Sequence, residues 1–171
     1  MRIEGPAAGY STRQHLLCDL DHASCPKTVK VALMLLNEYP ELGSCLIMHA
    51  GWSSHHLIFA SELSWRRQLQ LYKTLEVLGI EEDGRFEMRH RRQDVTLRVT
   101  RKIHTTGTRR PPKFEHIHYN GGLGLIRDYL YVWTAFNMKA RLPKWLRRLA
   151  LQPPKRPAAS SPAAHAAAQL H

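Results

Sequence analysis

Between residues 13 and 21 the apolar run Leu16-Leu17-Cys18 leads into Leu20 and then into the polar cluster DHASCP, the signature of a strand that ends in a turn. Pro26 then suits a first helical turn, with Ser24 or Cys25 just ahead of it. Val29, Val31, Ala32, Leu35 and Leu36 recur near the helical period until Pro40 stops them, predicting a helix to about Tyr39 with one buried face. Cys45 to Met48 reads as a short buried strand. The small-residue turn AGWSS separates it from a second apolar run, HHLIFA, so the two can pair as a hairpin. A second helix is predicted over residues 61–78, capped by Gly79.

Beyond the turn EEDGRF, the stretch FEMRHRRQDVTLRVTRKIH alternates apolar and basic residues, as a half-solvated strand or strand pair does. TTGTRRPPKF reads as a loop and HIHY as a further short strand. Residues 123–151 form a basic helical part interrupted by Pro143. The Pro/Ala-rich residues 152–171 are expected to be a disordered tail. Residues 1–151 are thus predicted to be a single domain of α/β (α+β) class. The order β-α-β-β-α-β predicts a split βαβ, RRM-like sheet backed by helices, with a C-terminal helical extension.

Composition adds a sign to this picture. Lys and Arg outnumber Asp and Glu by 25 to 14, a formal +11, which favours polyanionic partners: nucleic acid first, an anionic membrane second. The 171 residues are 43% hydrophobic, ordinary for a globular domain. No apolar run approaches the roughly 18 residues of a membrane span, and MRIEGPAAGYSTRQ lacks a signal-peptide core. Three cysteines without a CxxC pair point to a reducing compartment, so the expected location is cytoplasmic (nucleoid-associated) or nuclear, not secreted.

Asp19 and Asp21 alternate onto one side at the end of the first strand, where α/β sheets commonly place ligands. Two nearby carboxylates repel, and a hard divalent cation relieves that repulsion. Asp also caps turns and helices, so DLDH alone reads equally as a capping turn.

Two later segments change that balance. AGWSSHHLIF places a histidine ahead of an apolar strand, and QDVTLRVTRKIHTTG places an aspartate at the head of a basic one. With LLCDLD in front of both, residues 14–107 resemble the archaeo-eukaryotic primase superfamily, the primase-polymerases that include small primase subunits and the polymerase domains of bacterial end-joining ligases. The resemblance implies a palm-type sheet with Asp19, Asp21 and Asp94 as catalytic metal ligands for Mg2+ or Mn2+. It also implies that His56, with Ser53 and Ser54 of the turn, binds the incoming triphosphate; His55 is the off-by-one alternative. Arg98 and Lys102 would share a face with Asp94 and contact phosphate, with Arg101 on the other face. Nucleotides and a DNA or RNA template are the implied partners, together with replication or repair proteins. The implied chemistry is two-metal nucleotidyl transfer.

Trp52, in the turn, is a candidate for stacking on a base, whereas Trp65, Trp133 and Trp145 fall in helical patterns as core or interface anchors. Lys144, Arg147 and Arg148 lie on an amphipathic basic helix suited to nucleic acid, an acidic partner or a membrane surface, or simply to solvent. Two other functions compete. One is a non-catalytic nucleic-acid-binding protein on the same platform. The other is a rolling-circle type strand-nicking endonuclease with His116-Ile117-His118 and a Tyr129 or Tyr131 nucleophile.

Overall fold

The computed structural model describes residues 9–12, 14–51, 53–80, 91, 95–99, 102–104, 107–109, 111–137 and 141–151. The predicted tail at 152–171 lies outside them. Among the described residues the fold is mixed α/β, with a four-stranded open antiparallel sheet and four α-helices.

The first strand of that sheet is β2 (Leu17–Leu20), shorter than the apolar run suggested. The chain ahead of it is held instead by the loop at 62–63, where Leu63 N–H donates to the Gln14 carbonyl at 2.9 Å and the Gln14 amide donates to Glu62 Oε1 at 3.1 Å. Helix α1 (Cys25–Glu38) begins a turn earlier than its apolar period. Ser24 is the cap, its Oγ accepting from Lys27 N–H at 3.4 Å, and Pro26 costs no hydrogen bond in the first turn. Strands β3 (Cys45–Gly51) and β4 (Ser54–Phe59) form the expected hairpin. Helix α2 (Trp65–Val77) is capped by Ser64, and Gly79 follows it at φ +64°, as a C-terminal glycine should.

The strand order is β2-β4-β3-β8, with β8 (Lys113–His118) at the edge beside β3. β2 and β3 are both antiparallel to β4, so they run parallel to each other on either side of it, joined by α1. The described strands of the basic stretch after α2 pair outside this sheet. That stretch splits into β5 (Val95–Arg98), which pairs with β1 (Gly9–Thr12), and β6 (Lys102–His104), which pairs with β7 (Gly107–Arg109). Part of the TTGTRRPPKF segment expected as loop is therefore strand, fixed by a hairpin partner and not by an apolar pattern. Helices α3 (Ile126–Phe136) and α4 (Lys144–Ala150) flank Pro143 as predicted.

Every residue of β4 is buried, so the sheet is covered on both faces at this strand. α1 packs on β3 and β4, and α3 on β4 and β1. The core joins Leu46, Ile47, Leu57, Ile58 and Phe59 of the hairpin to Leu35, Tyr72, Tyr129 and Trp133 of the helices. No helix among the described residues is long and apolar enough to cross a membrane.

Candidate functional site

Cross-strand register decides which polar groups meet. Asp19 of β2 lies directly opposite His56 of β4, and His56 opposite Met48 of β3. Side chains of directly opposed residues leave the sheet on the same side. His56 Nε2 accordingly stands 3.8 Å from Asp19 Oδ1, an ion-pair distance too long for a hydrogen bond. Ser54, two residues back on the same face, donates its hydroxyl to the same oxygen at 3.2 Å. The Asp19 side chain keeps 36% exposure while the His56 side chain has 3%. The carboxylate is thus the outward group of the three, and the imidazole a buried support behind it.

The neighbouring row, Leu20, His55, His49 and Lys113, faces the other way. Between the two histidines that the sequence leaves open, His56 is therefore the one beside Asp19. His55 is tilted against His49 at 5.1 Å between ring centroids. Burial, followed by the charge of His49, lowers its pKa. Glu115, the extra residue of a bulge in β8, reaches the same region, and burial together with this nearby carboxylate raises the Cys25 thiol pKa. The sequence reading missed this His49/His55/Glu115/Cys25 group. Counting outward from the AGWSS turn would have paired the two histidines.

The turn after β2 is tied to the hairpin tip by Ala23 N–H donating to the Ser53 carbonyl at 2.7 Å. Within it, Asp21 is half-buried and His22 takes φ +55°, a left-handed conformation uncommon away from glycine and concentrated at functional sites. Ser53 is exposed at the hairpin tip.

Asp94, Trp52 and Arg101 lie outside the described residues, as do the side chains of Arg98 and Lys102. Among the described residues, no group of three or more His, Cys, Asp and Glu side chains is placed to hold a metal ion. Asp19 fits one role of that kind: a partly exposed carboxylate with a hydroxyl 3.2 Å away is the hard-oxygen chemistry that magnesium and manganese select.

Lys144, Arg147 and Arg148 are exposed on α4, whose Leu146 and Ala150 are buried, so the apolar side of this helix belongs to the core. His116 is exposed on β8 and His118 half-buried. Of the tyrosines that a strand-nicking reaction would need, Tyr129 is fully buried and Tyr131 exposed.

No family model matches this chain, and neither a curated protein nor a solved structure matches it.

Proposed function

We propose that the chain is a metal-dependent nucleotidyltransferase of primase-polymerase type, adding nucleotides on a nucleic-acid template, with Asp19 at its centre. The observation that carries the reading is the meeting of Asp19, Ser54 and His56 across β2 and β4, residues that lie in two separate segments of the sequence resemblance. The β2-α1-β3 crossover with β4 between its strands supports a split βαβ palm. The basic balance of the chain supports a polyanionic substrate.

In this reading Asp19, Asp21 and Asp94 hold Mg2+ or Mn2+, which when bound activate a primer 3′-hydroxyl and neutralise charge on the leaving pyrophosphate. Ser54 fixes the Asp19 rotamer through its hydrogen bond. His56 backs the carboxylate from a buried position 3.8 Å away. Ser53, exposed at the hairpin tip, is the group of that turn open to a triphosphate, and Arg98 and Lys102 contribute positive charge along the basic segment.

The test is manganese-dependent incorporation of labelled nucleotides on a primed template. Asp19→Ala and Asp94→Ala should each abolish incorporation. Ser54→Ala, which removes a contact behind a metal ligand, should cost about 10- to 100-fold. Incorporation that survives both aspartate substitutions overturns the metal assignment. A native chain that binds strands yet incorporates nothing points to the non-catalytic nucleic-acid-binding protein.

A further inference from the structure

The end of the sheet remote from Asp19 carries a second group of side chains. The remote end lies beyond β4 at Ala60, four residues and about 13 Å of strand from His56. There the loop that leads into α3 docks on the sheet: Leu125 N–H donates to the Ala60 carbonyl at 2.8 Å, and Ser44 Oγ accepts from Asn120 N–H at 2.8 Å while donating to the Gly122 carbonyl. Just past β8, Tyr119 meets Trp145 of α4 edge-on, with ring centroids 6.0 Å apart and planes at 75°.

Both rings face solvent, Tyr119 at 56% exposure and Trp145 at 45%. The same fold buries Trp133, Tyr72 and Tyr129 almost completely, so outward aromatics are not forced on it by a shortage of core. Beside the pair opens a pocket of about 270 Å3, lined by Tyr119, Leu123, Gly124, Arg127 and Leu149. That is below the roughly 300–1,000 Å3 of sites that engulf a small molecule, and suits one unit of a longer ligand. Arg127 supplies its charge. Its Nε is buried with no acceptor, and the carboxylate that feels its charge is that of the adjacent Asp128. The residue as a whole is half-buried beside the pocket, and the outer nitrogens of a guanidinium so placed suit a phosphate. Lys144, Arg147 and Arg148 extend the positive charge along the exposed side of α4, with Arg141 just ahead of it.

We propose that this surface binds single-stranded nucleic acid, with bases stacking on Tyr119 and Trp145 and a backbone phosphate held by Arg127. Stacking on exposed rings needs unpaired bases, which sets a single strand above a duplex. A lipid surface fits less well. A helix that lies in a membrane interface needs a free apolar face, and α4 spends Leu146 and Ala150 on the core. The surface deepens the proposed function by giving the template strand a place to lie, yet it needs neither metal nor nucleotide, so it is tested without them.

The experiment titrates the full chain against a labelled oligothymidylate by fluorescence anisotropy, in EDTA and without nucleotide. Tyr119→Ala and Trp145→Ala should each weaken binding between about 5-fold and 150-fold, the range of a lost base-aromatic stack. The corresponding phenylalanine variants should recover most of it. Arg127→Gln should flatten the slope of log affinity against log salt by about 0.7, the loss of one phosphate contact on a single strand. All three side chains are wholly or partly exposed, and an unchanged circular dichroism spectrum verifies the fold of each variant. Asp19→Asn should leave strand binding intact, so a silent active site and a failed binding surface give different results. Alanine variants of the two aromatics that bind within 2-fold of the native chain overturn the proposal. So does equal affinity for a duplex of the same sequence, or binding to phosphatidylserine vesicles in preference to the strand.

Discussion

Strand β2 carries Asp19, and one hydroxyl closes part of its outer edge. Tyr72 of α2 accepts from Leu17 N–H at 3.1 Å and donates to the Leu17 carbonyl at 3.1 Å, standing in for a neighbouring strand. Both residues are fully buried. Tyr72→Phe keeps the ring and removes one oxygen, so it adds little cavity while leaving an N–H and a C=O dry. An orphaned buried donor costs about 1–3 kcal/mol, and a carbonyl that loses one of its two acceptor sites costs less, so the substitution should destabilise the chain by about 2–4 kcal/mol. For a chain of this length that lowers Tm by roughly 4–16 °C. Urea unfolding followed by far-UV circular dichroism measures the free energy directly, with an unchanged m value as the sign that only stability has moved. A loss below about 1 kcal/mol would refute the reasoning, because it would mean that water reaches the edge of β2 and that the hydroxyl is not what seals it.

Gly124 sits at φ +39°, and a Cβ there would collide with the Ala60 carbonyl that Leu125 N–H already uses. Gly124→Ala should therefore cost more than about 1–2 kcal/mol in the same urea assay, whereas Gly122→Ala, whose Cβ meets nothing within 4 Å, should be near neutral; equal effects would contradict the close approach. Burial pushes the His15 pKa from 6.5 down to about 3, so the fold holds a neutral ring that the unfolded chain protonates. Its contribution to stability is complete above about pH 6.5 and is lost as pH falls towards 3, at up to about 1.4 kcal/mol per pH unit. His15→Met should flatten the stability profile over that window, and parallel profiles for the two chains would show that His15 is not held neutral.

Much of this fold is legible because its pattern is local. The α1 cap at Ser24, the β3-β4 hairpin, the Gly79 stop after α2 and the break at Pro143 each follow from a few consecutive residues. The parts that the pattern does not reach depend on partners far away in sequence. GYST becomes β1 because it pairs with β5, and GTR becomes β7 because KIH is opposite, although neither segment alternates apolar and polar residues. The site divides the same way. The segments CDLDH and SSHHLIF are visible as motifs, but the choice of His56 over His55 needs the β2-β4 register, which no single segment contains. Trp133 is buried as its helical spacing predicts, whereas Trp145 turns outward because α4 offers Leu146 and Ala150 to the core in its place.

The complete burial of β4 has a consequence for how reliably the chain finds its own alignment. In a strand with one wet face, a one-residue slip drives apolar side chains into water and is rejected on that ground alone. Ser54 to Phe59 has no wet face, and Leu57, Ile58 and Phe59 would be apolar in either frame. Hydrophobicity thus carries little information about the frame, and the discrimination passes to the few polar contacts that work in one frame only: the Ser54 hydroxyl on Asp19 and the Ser53 carbonyl under Ala23. The Ser54–Asp19 contact nominated for chemistry thus also proofreads the alignment of β2 against β4. Its loss would blur which histidine stands behind the carboxylate before it changed how tightly the domain is folded.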